Sequence, residues 1–523
     1  MRHILFQVRY LLLLSLILFC SGPRSWAQSK SSSRGTSTQK DRLEGSIVEL
    51  QKQLRELRLA VQEIHAEAMQ YRAETLALQK QLDATRTQTA SVAARPAAET
   101  SGTLEDQRAS QSNTTEERIN KLEEDQGLLT ERVNEQNQTK VESASKYRVK
   151  LSGIVLFNLF DNQGRVDNID FPNVAVARSG PDSSRSFGGT LRQSQLGLEG
   201  TGPIVAGAKT RADVQFDFSG GFPNNVNGIS EGIVRLRTGT LRLDWRSTSL
   251  VAGQDGLFFA PLSPTSFASL SVPALSNSGN LWTWTPQVRV EHRTELSQNS
   301  SLLLQGGILD GFTGETPASE YFRQPNSGER SGQPAYAGRI AWSKNAFGRP
   351  LAIGAGGYYS RQNWGFARNV NSWAATSDWS LPLNRWLGLS GEFYRGRAVG
   401  GLGGGLGRSV VTSGPLSSQS TIVEGIASLG GWTQLKIRPT ESKFEINIAG
   451  GQESPEAKDF RRFPLMQNPN PVLIRNRSIF ANVIYRPKSD LVFSVEYRHL
   501  HTYALAGDSH SADHINTLMG FIF

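Results

Sequence analysis

Charged side chains that could act on a solute alternate with small or apolar residues in the middle of this 523-residue chain. In residues 208–218, Lys209, Arg211 and Asp213 occupy every second position. A period of two puts the two kinds of side chain on opposite faces of a β-strand. The planar, forked guanidinium group of arginine binds carboxylates and phosphates. A sheet face that carries several arginines would therefore attract small anions. The candidate lining residues are Arg211, Arg235, Arg237, Arg242, Arg289, Arg293 and Arg339, interleaved with Asp213, Asp217, Glu291 and Glu295.

The excess positive charge belongs to the C-terminal part of the chain. Residues 147–523 contain 36 Lys and Arg, of which 29 are Arg, against 28 Asp and Glu. We therefore expect an anion preference, with the carboxylates creating a transverse field. The alternative is that these charged side chains only keep the interior of the fold hydrated and give it no preference for anions. Nucleic acid is not an expected partner, because no nucleic-acid-binding motif accompanies the charge.

The sequence contains no established motif for catalysis, for a metal or for a cofactor. No nucleophile in a recognisable elbow, metal motif or nucleotide loop is present. Residues 400–407 are rich in glycine, but no helix and no Lys-Ser/Thr pair follow them, which favours flexibility over phosphate binding. Histidines near the end could hold a metal, but their positions beside a strand end and a loop favour a solvated surface: His499, His501, His510 and His514.

Period-two alternation over residues 147–523 predicts sixteen strands. Seven short connections alternate with eight long ones, as expected for an even-stranded antiparallel barrel with both chain ends on the periplasmic side. A soluble sandwich is the alternative, but a single meander without a domain break disfavours it. The predicted strands are about 147–159, 189–201, 206–219, 231–245, 249–255, 286–297, 300–309, 335–344, 350–360, 371–380, 386–397, 423–438, 442–451, 475–486, 490–500 and 513–523.

The final strand favours a membrane barrel over a soluble sheet. Ile515, Met519, Phe521 and Phe523 recur at odd positions, so one face would meet hydrocarbon and its aromatic rim. We expect Phe521 and Phe523 to form the barrel-insertion signal. The predicted fold is therefore an all-β transmembrane barrel of about sixteen antiparallel strands over residues 146–523. It is expected in the bacterial outer membrane, in contact with lipid and lipopolysaccharide.

The third long loop, residues 256–285, contains no charged residue and is rich in Ser, Pro, Leu and Phe. Such a loop is ill suited to standing in water. We expect it to fold inward and narrow the channel, with Phe258, Phe259 and Phe267 as candidate constriction residues. Packing over the rim or between protomers is the alternative.

The N-terminus has the pattern of a secretory signal peptide. An apolar run from Ile4 to Cys20 precedes Ser25-Trp26-Ala27, which predicts cleavage after residue 27. A lipoprotein anchored on Cys20 is the alternative, disfavoured by the bulky Phe19. The mature chain then has no cysteine, which excludes disulfides and thiol catalysis. Residues 28–40 are a predicted flexible linker.

Residues 41–145 predict a periplasmic coiled-coil stalk of two helical segments joined by a linker near 84–114. A 4-3 spacing sustained over twelve positions indicates a coiled coil about 60 Å long, and therefore at least one partner chain. The spacing does not distinguish a two-chain from a three-chain coiled coil. Peptidoglycan is a further candidate partner of the stalk, although no residue set argues for it. The core positions are Leu43, Ile47, Leu50, Leu54, Leu57, Val61, Ile64, Ala68, Tyr71, Thr75, Leu78 and Leu82, then Ile119, Leu122, Gln126, Leu129, Val133 and Gln136.

Three short motifs carry a resemblance to a known family. Arg192-Gln-Ser-Gln-Leu-Gly-Leu-Glu199, Val251-Ala-Gly-Gln-Asp255 and Thr285-Pro-Gln-Val-Arg289 resemble the trimeric porins of the DcaP-like type. The motifs cover the first half of the barrel, and the rest matches by architecture. The resemblance implies a coiled coil before a sixteen-stranded barrel, three chains, and passage of negatively charged small molecules such as dicarboxylates. The long two-segment stalk and Gly-rich sixth loop depart from that pattern.

These observations favour a passive outer-membrane diffusion channel for small anions such as carboxylates, assembled as a homo-oligomer and without enzymatic activity. A tether to the cell wall with the barrel as its anchor is one alternative. A hydrolase embedded in the barrel is another, and it would need Ser, His and a carboxylate clustered at the rim.

Overall fold

The computed structural model describes residues 148–222, 232–314, 323–440, 442–463 and 472–523. The predicted signal peptide (1–27), linker (28–40) and coiled-coil stalk (41–145) lie outside these residues. Across the described ranges, no helix is both long and apolar enough to cross a membrane. β-strands dominate this part of the chain, as its alternating pattern predicts.

The described residues form nineteen strands, numbered in chain order. One helical turn, α1 (Ala457–Phe460), and three 3₁₀ turns at Glu329–Ser331, Gly400–Leu402 and Gly405–Gly407 lie in the loops. The strands are β1 (Val149–Gln163), β2 (Arg185–Thr190), β3 (Gln195–Val205), β4 (Ala208–Asp217), β5 (Arg235–Asp244), β6 (Thr248–Asp255), β7 (Thr285–Ser297), β8 (Ser300–Leu309), β9 (Ala335–Ala346), β10 (Arg349–Asn363), β11 (Asn369–Pro382), β12 (Leu387–Arg397), β13 (Val410–Thr412), β14 (Val423–Gly425), β15 (Ala427–Ile437), β16 (Phe444–Pro455), β17 (Leu473–Lys488), β18 (Leu491–Ala504) and β19 (Ser509–Ile522).

Antiparallel pairing closes these strands into a barrel. β1 pairs with β19 from Ile154↔Ile522 to Gln163↔Asp513, and its other edge pairs with both β2 and β3. Because β2 and β3 follow one another along that edge, the described strands fill sixteen positions in the wall. β13 and β14 form a separate two-stranded sheet in a loop. The prediction of a sixteen-strand antiparallel barrel is confirmed, and closure removes the exposed edges of the sheet.

Two predicted strands are divided in the structure. The strand predicted at 189–201 breaks at residues 191–194, where the Gln193 amide donates to the Ala268 carbonyl of a distant loop at 3.0 Å. The strand predicted at 423–438 loses its first residues to β14, which pairs with β13 instead of the wall. The first break depends on a loop 75 residues away, and the second depends on β13 in the preceding loop. Alternation along one strand reveals neither partner.

The two faces of the wall differ strongly in polarity. On β18, Val495 and Tyr497 are 53% and 47% exposed on the outer face, whereas Glu496 and Arg498 are each 1% exposed on the inner face. An apolar exterior around a polar interior is typical of a barrel surrounded by hydrocarbon. The outer apolar residues include Val155, Phe157, Val288, Val290, Ile340, Ile353, Phe393, Ile446, Ile448, Ile479, Val483 and Met519.

The C-terminus completes the seam of the barrel. Phe523 exchanges two backbone hydrogen bonds with Gly153, at 2.9 and 3.1 Å. The Phe521 ring is exposed on the outer face and stacks on the Phe523 ring, with 6.4 Å between centroids. The role of these residues in membrane insertion stays a prediction.

Candidate functional site

The third long loop, residues 256–284 between β6 and β7, lies inside the barrel. Phe258 and Phe259 are 4% and 0% exposed, and the Phe259 ring stacks on Tyr358 of β10 at 5.4 Å between centroids. Leu309 of β8 and Tyr394 of β12 belong to the same apolar cluster. The uncharged composition of the loop thus reflects burial of its apolar side chains against the inner wall.

The loop follows the inner wall from strand to strand. Glu392 of β12 accepts a hydrogen bond from the Leu262 backbone N–H at 2.6 Å, and Gln434 of β15 accepts one from the Thr265 N–H at 2.6 Å. Buried backbone groups outside regular structure need such partners. In loop order, the contacting wall residues are Thr376 (β11), Glu392 (β12), Gln434 (β15), Asn482 (β17), Glu496 (β18) and Asn158 (β1).

Two predicted lining arginines anchor this loop to the wall. Arg235 donates to the Ser271 carbonyl at 2.6 Å, and Arg237 donates to the Leu270 carbonyl at 2.8 Å. Both guanidinium groups also bind Asp217, whose side chain is 0% exposed. Arg237 is the extra residue of a bulge in β5, where the register passes from Gln215↔Thr238 to Phe216↔Leu236. The bulge lets two nearby arginines reach one carboxylate and one loop segment.

Phe267, the third candidate constriction residue, lies at a different part of the inner wall. Its half-buried ring packs against an apolar cluster of β1, β17, β18 and β19 that includes Leu156 and Ile484. The Arg486 guanidinium lies 5.5 Å from the centre of the ring. The three phenylalanines therefore do not form one ring around a passage, since Phe258 and Phe259 pack elsewhere.

Arg289 and Arg339 brace nearby strands of the wall. Arg289 of β7 binds Asp255 at 2.8 Å and Glu291 at 2.7 Å, and its side chain is only 8% exposed. Arg339 of β9 donates two hydrogen bonds to Asp378 of β11 and is also 8% exposed. With these short contacts to carboxylates, both arginines are largely neutralised by the wall itself.

Arg211, Arg242 and Arg293 face the lumen with more water around them. Arg211 is 53% exposed and pairs with Glu199 at 3.2 Å, whereas Arg242 is 33% exposed between Asp244 and Glu291. Arg293 is exposed and donates to the Ser301 hydroxyl at 3.4 Å. Of the remaining predicted carboxylates, Asp213 accepts a hydrogen bond from Thr240, and Glu295 is exposed near the end of β7.

A second group of cations escaped the sequence analysis. Lys436, Arg438 and Arg486 lie 3.5, 4.0 and 3.5 Å from the Glu445 carboxylate. Their side chains are 37, 54 and 27% exposed, while that of Glu445 is 5% exposed. The pairing of β15, β16 and β17 brings these residues together. The alternation of Gln434, Lys436 and Arg438 could have indicated from the sequence that these side chains share the inner face. The contribution of Arg486 depends on strand pairing and could not be predicted in this way.

Three further loops lie against the long-loop end of the lumen. The Gly405 N–H donates to buried Glu453 at 2.8 Å, and a Cβ at Gly401 would lie 2.1 Å from the Phe312 carbonyl oxygen. The Gly-rich segment predicted to be flexible is thus closely packed, and glycine is needed for the approach at Gly401. In the first long loop, Asp167 accepts hydrogen bonds from the Asn173 and Val174 amides, and burial raises the pKa of its carboxyl.

The C-terminal histidines separate onto the two faces of the wall. His514 is 0% exposed on the inner face and hydrogen bonds to Asn162 at 2.7 Å, so the expectation of a solvated surface is wrong for this residue. His499 lies on the outer face, 2.8 Å from Asp513. In the part of the chain that the structure describes, no group of three or more His, Cys, Asp or Glu side chains could hold a metal ion.

Comparisons with known proteins give a likeness in structure. No protein-family model and no curated protein matches the sequence. The outer membrane channel DcaP of Acinetobacter baumannii aligns over 74% of this chain and 100% of its own, with a TM-score of 0.55 and 16% identity. An anion-selective porin from Comamonas acidovorans aligns over 72% of this chain and all of its own at a TM-score of 0.45 and 13% identity. At these identities the comparison establishes the fold: this chain shares the barrel architecture of the Acinetobacter channel.

Proposed function

We propose that this protein is a passive diffusion channel of the bacterial outer membrane for small, preferentially anionic solutes such as carboxylates. The observation that carries the proposal is the closed wall, apolar outside and polar inside, with an uncharged loop held within it. The barrel shared with the Acinetobacter outer membrane channel supports the same function and location. Solutes would pass the water-exposed side chains of Arg211, Arg242 and Arg293.

The anion preference rests on which charges reach water. The Glu445 side chain is only 5% exposed, whereas two of the cations paired with it, Lys436 and Arg438, are 37 and 54% exposed. A solute in the lumen therefore meets the cation before its counter-ion. Arg289 and Asp255 show the reverse arrangement, at 8 and 30% exposure. The surplus of exposed cations around Glu445 gives the clearest local bias toward anions.

The proposal is tested with the purified full-length protein in planar lipid bilayers. We expect discrete single-channel currents and, across a KCl gradient, a reversal potential of the sign that indicates chloride permeation. Absence of conductance would contradict the channel function. Conductance with zero or cation-selective reversal potential would contradict only the anion preference.

We further propose that the predicted stalk, residues 41–145, holds three copies together. Deleting it should leave barrels that conduct but assemble less stably, as measured by native mass spectrometry. If the deletion instead abolished attachment to the cell wall while an intact barrel carried no current, the tether function would be favoured. Unchanged assembly after the deletion would contradict the role of the stalk in oligomerisation.

A further inference from the structure

The outer face of β17 and β18 carries a polar patch at its long-loop end. Arg475 and Arg477 project outward, because Asn476 and Ser478 between and beside them are buried on the inner face. The register pairs Arg475 with Tyr503 and Arg477 with His501. These four side chains, the outer basic patch, therefore lie side by side on the outside of the barrel.

The outer basic patch borders directly on the apolar exterior. The next outward residues are Ile479 on β17, 52% exposed, and Tyr497 and Val495 on β18, 47 and 53% exposed, with His499 between the patch and Tyr497. In a membrane barrel, a change from charged to apolar side chains along the outer face marks the boundary between headgroups and hydrocarbon. A ligand lying across the boundary would contact cations with its head and apolar side chains with its tail.

The patch is ordered around one aromatic ring. The His501 and Tyr503 rings stack at 4.4 Å with an interplanar angle of 8°. The Arg475 and Arg477 guanidinium carbons lie 5.4 and 5.9 Å from the centre of the Tyr503 ring. Cation–π contacts, and a hydrogen bond from the Arg477 Nε–H to the Gln452 side chain, hold the guanidinium groups in place. The terminal N–H groups remain as donors for an anion.

Two of the other outward arginines near the same end of the barrel have carboxylate partners. Arg185 pairs with Asp161 at 2.7 Å, and Arg395 pairs with Glu456 at 3.5 Å. Within the described residues, neither Arg475 nor Arg477 forms an ion pair with a carboxylate. Asp513, on the neighbouring strand, is bound by His499 and by the Tyr497 hydroxyl at 2.7 Å. Cations beside hydrocarbon without a protein counter-ion call for an anion from elsewhere.

We propose that the outer basic patch binds a phosphate group of an acylated, phosphorylated glycolipid, whose acyl chains lie along Ile479, Val495 and Val483. The paired guanidinium groups suit phosphate oxygens, and the apolar surface beside them suits the chains. A soluble anion would contact only the guanidinium groups and not the apolar surface. The choice of an outer-leaflet glycolipid rests on the proposed function, because that function places the long-loop end on the outside of the cell.

The test is native mass spectrometry of the full-length protein in detergent, titrated with bisphosphorylated lipid A, dephosphorylated lipid A or phosphatidylglycerol. We expect the bisphosphorylated form to bind best. Arg475→Gln/Arg477→Gln should weaken this binding at least about tenfold, because the double variant removes both positive charges and their hydrogen bonds to the phosphate oxygens. The matched control, Arg185→Gln/Arg395→Gln, should bind like the parent protein.

Equal binding of dephosphorylated lipid A or of phosphatidylglycerol would overturn the proposal, as would unchanged binding by the double variant. Loss of the oligomer in the double variant, visible in the same spectra, would instead assign the patch to a subunit interface. If that variant fails to fold, Arg475→Gln and Arg477→Gln separately carry the test, each with weakened binding expected. Bilayer recordings of the same samples test the channel function separately from lipid binding. A protein that binds the lipid but carries no current would contradict the channel function and leave the lipid site standing.

Discussion

Two groups of lumen charges use the same residue types in different ways. Around the third loop, Arg235 and Arg237 share Asp217 and are 26 and 11% exposed, and their hydrogen bonds go to loop carbonyls. Around Glu445, three cations share one buried carboxylate but remain 27 to 54% exposed. The first group, the loop anchor, positions the loop. The second, the exposed cluster, presents charge to water.

The difference shows that the number of arginines in a wall is a poor guide to its field. A buried, bidentate ion pair is nearly neutral when seen from the lumen, and its main effect is on structure. An exposed cation above a buried counter-ion still attracts a passing anion, although solvent weakens the attraction. The two groups should therefore respond differently to mutation and to salt.

The largest expected effect is on stability, at the loop anchor. Asp217→Asn leaves two partly buried guanidinium groups without their shared counter-ion, which should cost about 3–5 kcal/mol of unfolding free energy. Urea unfolding in detergent measures this loss. The third loop should also be held less firmly, giving noisier single-channel currents. A variant as stable as the parent protein would show that Arg235 and Arg237 do not depend on Asp217.

The next effect is on ion selectivity, at the exposed cluster. Lys436→Gln/Arg438→Gln/Arg486→Gln removes three exposed cations and leaves Glu445, so the anion-to-cation permeability ratio should fall about threefold to tenfold. Reversal potentials measure this ratio. The outer-face variant Arg185→Gln/Arg395→Gln removes surface charge outside the lumen and should leave the ratio unchanged. A ratio equal to that of the parent protein in the triple variant would refute the role of the cluster.

A high salt concentration should weaken the effect of the exposed cluster on selectivity but not the effect of the loop anchor on stability. Raising KCl from about 0.1 M to about 1 M shortens the Debye length from about 10 Å to about 3 Å. The selectivity difference between the triple variant and the parent protein should therefore shrink. The destabilisation by Asp217→Asn acts between buried groups in contact and should persist. A selectivity difference that survives high salt would indicate direct solute binding at the cluster.

The smallest effect is expected at an exposed lumen pair. Glu199→Gln removes the partner of Arg211, but these side chains are 37 and 53% exposed, so unfolding free energy should change by less than about 1 kcal/mol. This variant is the matched control for Asp217→Asn, because each removes a carboxylate bound by arginine on neighbouring wall strands. If the two variants lost equal stability, burial would not distinguish the loop anchor from the solvent-exposed pairs.

Much of the wall was predictable because alternation is a local property. The pattern of Gln287, Arg289 and Glu291 against Val288 and Val290 gives the two faces of β7 directly. The same reasoning placed the predicted arginines on the inner face, but it did not separate Arg289, a brace, from Arg211, which is half exposed. That distinction depends on partners from other strands.

The third loop shows the same limit. Its uncharged composition predicts burial, and Phe259 is indeed fully buried. Its path depends on Glu392, Gln434 and Glu496, which are 130, 169 and 230 residues away from their partners in the loop. No local pattern links these residues, so the route could be read only from the folded barrel.

Local patterns along the chain were enough to predict the strand count, the two faces of the wall and an inward, uncharged loop, because side-chain period and hydrophobic burial act over a few neighbouring residues. Tertiary structure decided which cations are neutralised, where the loop is anchored and that Lys436, Arg438 and Arg486 meet at Glu445. The physical reason is that counter-ion distance and water exposure are set by strand register and barrel closure, which bring together residues from distant parts of the chain.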